Sequence, residues 1–167
     1  MKDYEGDIKI AFKHFVVHPQ SATEPALAAC AAGLQGKFAE MEKGIWEKAY
    51  SKRDFKPETL EAIAKDVGVD IAKYKADKDG ACKKQIAQDQ NDLRNVGTSG
   101  TPAFYINGRF LSGARPVDQF KKLVDEELKK ANDRIAKGEA SVADYYDKFV
   151  VKKGLKKLAV EAPPKKK

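Results

Sequence analysis

The run Gly97-Thr98-Ser99-Gly100-Thr101-Pro102 leads directly into Ala103-Phe104-Tyr105-Ile106-Asn107-Gly108-Arg109-Phe110-Leu111-Ser112-Gly113, and this stretch limits the fold more than any other. Two short apolar runs flank Asn107-Gly108. A two-residue type I′ turn needs positive φ at both central positions, which Asn and Gly tolerate best, so the stretch predicts a β-hairpin. Pro102 has no N–H to give to a ladder and belongs at the entry of the first strand. Thr101-Pro102 is also a place where a cis peptide bond is accessible. Taken alone, Pro102 is an ordinary strand-entry proline; the residues around it give it meaning.

Upstream, Ile8, Ile10, Phe12, His14 and Val16 alternate with Lys9, Ala11 and Lys13. This period-two pattern predicts a strand over Ile8–Val17, and the lysines on one face place it toward a sheet edge. His14 and His18 have no thiol or carboxylate at a useful spacing, so both are assigned structural roles. A helical region follows from about Ser21 to Tyr50, Ala-rich from Ala26 to Ala32, with Gly33 and Gly36 as points where it bends or splits. Phe38, Met41, Ile45 and Trp46 recur at helical spacing and are expected to bury one face. Pro57 starts a helix that turns Leu60, Ile63 and Ala64 inward and stops at Gly68. Asp70 caps a short helix through Tyr74, and another helix runs from about Gly80 to Val96. After the hairpin, Pro116 begins a helix that Gly138 closes, and Ser141 caps a last helix with Tyr145, Tyr146 and Phe149 before Gly154.

Gly-Thr-Pro, the aromatic strand, Ile-Asn-Gly-Arg and the Ser-Gly-Ala turn before a helix resemble the distal half of a DsbA-like thioredoxin-fold protein, a bacterial-type family of thiol–disulfide oxidoreductases. The similarity extends back through Lys13-His14-Phe15, His18-Pro19 and Gln35-Gly36-Lys37-Phe38, and forward to about Leu128. It implies an α/β, thioredoxin-like fold over residues 1–154, with a helical insertion at about 50–96 and a Lys-rich tail over 155–167. It also implies a cis proline at Pro102. Gly100, Thr101 and Pro102 then form the substrate-binding loop, in which Thr101 offers its backbone to a peptide or protein thiol partner. No cofactor is implied.

One part of the family pattern has no counterpart here. In the family, a central first strand and a helix carrying Cys-x-x-Cys at its N-terminus precede the Ile8–Val17 strand. The helix dipole and amide groups there stabilise the attacking thiolate. Met1 to Glu5 resembles the last turn of that helix, so the chain is expected to be N-terminally truncated with respect to the fold. A sheet lacking its central strand leaves N–H and C=O groups unpaired. Three outcomes remain open: the strands close up, a second copy lends a segment, or upstream polypeptide completes the sheet. Self-association or strand complementation is expected.

The chain has two cysteines, Cys30 and Cys82, and no Cys-x-x-Cys. Cys30 lies on an Ala-rich helical face, where it reads as a small buried hydrophobe. Cys82 lies near a helix start beside Lys83 and Lys84, which would favour a thiolate. The other readings of Cys82 are an unremarkable, partly exposed cysteine and a Cys30–Cys82 disulfide, which sequence separation neither requires nor excludes. Metal binding is not expected, since the cysteines and histidines lack finger-like spacing. Three functions are therefore carried forward. The chain is a relative of thiol–disulfide oxidoreductases that is redox-inactive alone, a non-catalytic peptide-binding module using the Thr101-Pro102 surface, or a single-cysteine redox protein acting through Cys82.

At 167 residues and 42% hydrophobic content, the chain can bury a core without staples. No apolar run reaches the length of a membrane span. The net charge of +7 is concentrated at one end, where eight lysines from Lys148 onward face only Asp147 and Glu161. A near-neutral body argues against nucleic acid, and the tail reads as a solubilising end, with weak contact to anionic surfaces as the lesser reading. The first residues have no apolar signal region, so the chain as written reads as cytoplasmic, and as exported or periplasmic if a segment precedes it.

Overall fold

The computed structural model describes residues 2–153, which form two compact units. One is built from residues 12–93, the other from the described residues up to Ala11 with those from Arg94 onward. The expected ends at Gly154 and in the Lys-rich tail lie outside the described residues.

The unit of residues 12–93 is helical. Its first helix, α1 (Pro19–Gly33), begins with Pro19, whose fixed φ suits a first turn. The chain turns after Gly33 through Gly36 at φ 74°, and the Lys37 N–H donates back to the Ala32 carbonyl at 2.9 Å. The expected long helix is thus split at its glycines. It resumes as α2 (Phe38–Gly44), widens into a π-helical turn over Ile45–Ala49 and tightens into a 3-10 turn over Tyr50–Lys52. Next come α3 (Pro57–Asp66), α4 (Ile71–Asp79) and α5 (Ala81–Asn95). Asp70 caps α4 by accepting the Lys73 N–H at 2.7 Å.

The buried core lies here. Leu27 to Ala32 of α1 meet Met41, Ile45 and Ala49, then Leu60, Ile63 and Ala64 of α3, and Tyr74, Cys82 and Ile86 of α4 and α5. Trp46 corrects the expected face, being 54% exposed. The wider π turn rotates it off the buried side, where it meets Tyr50 edge-on at 4.5 Å. Gly44 permits the approach of α3, since a Cβ there would sit 2.5 Å from Ile63 Cγ2. Gly44→Ala is therefore expected to destabilise the protein by about 1–3 kcal/mol despite its better helix propensity; thermal unfolding checks this, and an unchanged midpoint would overturn it.

The strand expected over Ile8–Val17 is not one. Residues 8–16 have no regular secondary structure and no ladder partner among the described residues. Alternation fixes which side chains share a face but supplies no hydrogen-bond partner, and a strand exists only in a ladder. The Asp89 carboxylate holds the later part of this segment instead. Fully buried on α5, it accepts the His14 N–H at 3.0 Å, Lys13 Nζ at 2.9 Å and Gln85 Nε2 at 3.0 Å. The Phe12 ring packs against His14 and Phe38, at 5.0 and 4.7 Å between centroids.

Two titrations follow. Burial pushes the Asp89 carboxyl up, but Lys13, the His14 N–H and Gln85 outweigh it and hold it below the ordinary carboxylate value. Burial holds His14 below the ordinary imidazole value, only partly opposed by the Asp89 charge. Both groups resist protonation more in the folded state than in the unfolded chain, so both lose stability on acidification. The His14 contribution fades as pH falls below about 6.5, and that of Asp89 fades below about 4. Unfolding midpoints are expected to drop monotonically from neutral pH downward, and His14→Gln to flatten the upper limb alone. A midpoint that rises between neutral pH and about 5 would contradict this.

The other unit holds a 3-10 turn at Lys2–Tyr4, the strands β1 (Ala103–Ile106) and β2 (Arg109–Ser112), the long helix α6 (Val117–Ala136) and a π-helical turn at Asp147–Val151. The hairpin is antiparallel, pairing Ala103 with Ser112 and Ile106 with Arg109 across Asn107-Gly108, whose φ values are 48° and 86°. Tyr4 donates its hydroxyl proton to Asp125 of α6 at 2.7 Å, and Lys121 pairs with Asp3 at 2.6 Å. Gly138 ends the region of α6 at φ 72°. Ser141 and Asp144 then cap each other's backbone N–H, at 2.7 and 3.3 Å.

Candidate functional site

α5 gives way to the Gly-Thr-Pro loop at Gly97, which takes φ 83°. Thr98 turns inward and is buried. Its hydroxyl donates to Tyr105 Oη at 2.8 Å, while the Tyr105 hydroxyl donates to the Val96 carbonyl at 3.2 Å. A residue of β1 thereby holds the entry to the loop. Gly100, Thr101 and Pro102 stand exposed at its crest, and the Thr101–Pro102 peptide bond is cis. The Pro102 carbonyl accepts the Gly113 N–H at 2.8 Å, closing the base of the hairpin.

The two faces of the hairpin differ. Toward α6, Phe104 meets Phe120 edge-on at 4.8 Å, and Arg109 reaches Glu126 at 2.6 Å and Glu127 at 3.3 Å. On the opposite face, Tyr105 and Phe110 pack against each other at 5.1 Å between ring centroids and remain 36% and 49% exposed. Among the described residues the sheet has two strands, so one edge of each has no ladder partner there.

Cys30 and Cys82 are joined in a disulfide that ties α1 to α5, with 5.8 Å between Cα atoms. Cys82 is fully buried. The reading of Cys82 as a free reactive thiol is therefore corrected: its sulfur is already bonded to Cys30 and is fully buried, and its neighbour Lys83 is paired with Asp79 at 3.0 Å. Cys30 is buried as expected, yet it serves as a cross-link rather than as a simple hydrophobe. Sequence reading also missed Asp89. The available signal was its place at i+7 from Cys82 and i+3 from Ile86, on the buried face of α5, where an acid demands partners. Among the described residues no cluster of His, Cys, Asp or Glu is placed to hold a metal, and no helix is long and apolar enough to cross a membrane.

A Gly-Thr-Pro loop entering an Asn-Gly hairpin backed by a long helix, together with a disulfide-linked helical unit, defines a thioredoxin-like class of protein. More narrowly, the model of the DSBA-like thioredoxin domain matches residues 2–125, and the chain belongs to that family. The chain is also similar to the Na(+)/H(+) antiporter NhaA 1 of Salinispora arenicola (strain CNS-205), with 32% identity over 124 residues. That match covers 71% of this chain but 18% of the antiporter, so the chain spans less than one fifth of that relative's length. No solved structure matches it significantly.

The disulfide joins residues 52 positions apart, a loop length for which closure is worth about 4 kcal/mol in the chain-entropy view. Replacing both cysteines by alanine is expected to lower the melting temperature by about 8–15 °C. The native protein is expected to show no thiol toward an aromatic disulfide reagent until it is unfolded and reduced. A native protein that reacts at once would refute the buried cross-link.

Proposed function

We propose that this chain is the substrate-facing part of a DsbA-like thiol–disulfide oxidoreductase domain and that it carries out no disulfide exchange by itself. The observation that supports this best is the separation of the two functions of sulfur and loop. The exposed Gly100-Thr101-Pro102 crest has no sulfur, whereas both cysteines of the chain are bonded to each other inside the helical unit. Exchange needs a thiolate that attacks a disulfide sulfur, releases one thiolate into solution and is itself displaced by a second thiol. Neither Cys30 nor Cys82 offers such a group in the oxidised protein.

In this reading, residues 1–154 form the DsbA-like domain, with a helical insertion at about 50–96, and residues 155–167 are its basic tail. The Cys-x-x-Cys helix comes from other polypeptide, since a second copy has no Cys-x-x-Cys of its own; a second copy lends at most a segment to the sheet. The unladdered segment 8–16, the open edges of the two-stranded sheet and the exposed Tyr105–Phe110 pair all favour such completion. Thr101 then presents its backbone to an extended peptide or a mixed-disulfide partner. The Cys30–Cys82 bond favours an oxidising compartment over the cytoplasm. A second reading, a binding module that never exchanges disulfides, draws on the same exposed crest.

Insulin reduction with dithiothreitol is the test. The chain alone is expected to match the uncatalysed background, and a version extended by a strand and a Cys-x-x-Cys helix to exceed it. Amide shifts at Gly100, Thr101 and Ala103 on adding a thiol-free peptide would report the crest. Catalysis by the chain alone would overturn the proposal. An extended version that binds peptide but stays inactive would favour the binding module.

A further inference from the structure

One cleft of the helical unit has no part in the proposed exchange chemistry. It has a volume of about 600 Å³ and is lined by Ser21, in the first turn of α1, and by Tyr50, Ser51, Arg53 and Phe55. Phe55 is half-buried and packs against the core. Tyr50 is 57% exposed and meets Trp46 at 4.5 Å and Phe55 at 6.3 Å between ring centroids. Two backbone bonds close the turn, from the Arg53 N–H to the Tyr50 carbonyl at 3.1 Å and from the Asp54 N–H to the Ala49 carbonyl at 3.0 Å. This pairing puts Arg53, at φ 52°, in the left-handed position that ends a helix, where glycine is the usual residue. Arg53 is exposed and is the only arginine between residues 12 and 93. Among the described residues no carboxylate lies within ion-pair distance of it. Its neighbour Asp54 accepts Thr59 Oγ1 at 2.6 Å and the Lys56 N–H at 3.4 Å instead. The Ser51 hydroxyl donates to the Glu47 carbonyl at 2.8 Å, so Ser21 and Tyr50 carry the hydroxyl donors that remain in the cleft.

We propose that this cleft binds a small aromatic carboxylate, a molecule with one flat ring and one carboxyl group. Its volume falls in the range of about 300–1,000 Å³ usual for small-molecule sites. Tyr50 and Phe55 offer aromatic surface on which a ring packs with more than its area alone provides. The Arg53 guanidinium presents its N–H groups as a planar fork that matches the two oxygens of a carboxylate. One cation balances one negative charge, so inorganic phosphate, with more charge and no ring, is the poorer match. Glycine would hold the same turn with less backbone strain. The turn itself therefore does not call for arginine, whereas the charge that Arg53 brings to the cleft does.

The test is a titration of the full chain with phenylpropionate, with its neutral amide and with inorganic phosphate. Trp46 is the only tryptophan of the chain and touches Tyr50, so a ring entering beside Tyr50 changes its fluorescence. Phenylpropionate is expected to give a saturable change, with backbone amide shifts concentrated at Ser21 and residues 50–55. The neutral amide is expected to bind about tenfold more weakly, because it forfeits the charge-assisted pair with Arg53. Arg53→Gly is expected to lose about as much affinity while keeping its melting temperature, since glycine suits the positive φ. Arg53→Asn, which also tolerates that backbone, is expected to behave alike. Four outcomes would overturn the proposal: no saturable change, equal affinity for the neutral amide, undiminished binding by both Arg53 variants, or amide shifts confined to other parts of the chain. Displacement of phenylpropionate by an equal concentration of phosphate would replace the aromatic acid by a simple anion and overturn it too. No disulfide is exchanged in this titration, so its outcome is independent of the insulin assay.

Discussion

The small side chains of α1 set the arrangement of the helical unit. Leu27 to Ala32 is buried around much of the helix circumference rather than along one stripe. A helix apolar on most sides must be covered on most sides. Four alanines let α2, α3 and α4 approach it together, and the sulfur of Cys30 binds the fifth helix covalently. A larger residue at Ala28, Ala31 or Ala32 would push partners apart on more than one side at once, which is why the segment tolerates only volume this small.

The hairpin is organised by a different constraint. A helix satisfies its backbone within itself, so the helical unit closes a core from its own residues. A strand depends on a neighbour, and among the described residues β1 and β2 have only each other. α6 covers one face of the pair through Phe120 and the glutamates that receive Arg109. On the other face Tyr105 and Phe110 pack on each other and stay 36% and 49% exposed, beside 37% for Phe104 on the α6 side. Among the described residues, the buried apolar cluster belongs wholly to the helical unit, while the cis Thr101–Pro102 bond and the positive-φ Asn107-Gly108 turn belong to the hairpin and its entry loop.

The features legible in the sequence were those decided by one or two residues. Asn107-Gly108 takes two positive φ values because few other pairs can. Asp70 caps its helix with its own carboxylate, and Pro57 and Gly68 bracket α3 by what each forbids or permits. The family resemblance was legible through the same local chemistry. What escaped depended on a distant partner. Ile8–Val17 alternates as a strand does, yet it has no ladder partner among the described residues, and Asp89, 75 positions from His14, takes up the hydrogen bond instead. Trp46 continued a helical stripe until the backbone changed its period. The Cys30–Cys82 pairing is a fact of how α1 and α5 meet, about which a separation of 52 residues is silent.

Cys82 shows how such context overrides electrostatics. A thiol near a helix start with Lys83 and Lys84 beside it meets the usual conditions for a lowered pKa. Yet thiolate character matters only if a disulfide can approach the sulfur along the S–S axis, which a fully buried atom already bonded to Cys30 does not allow. The same helix start on an exposed turn would favour attack, whereas inside an alanine-lined interface it favours a stable cross-link. Access, set by the volume of the residues on α1, decides the role of this sulfur before charge has any bearing on it.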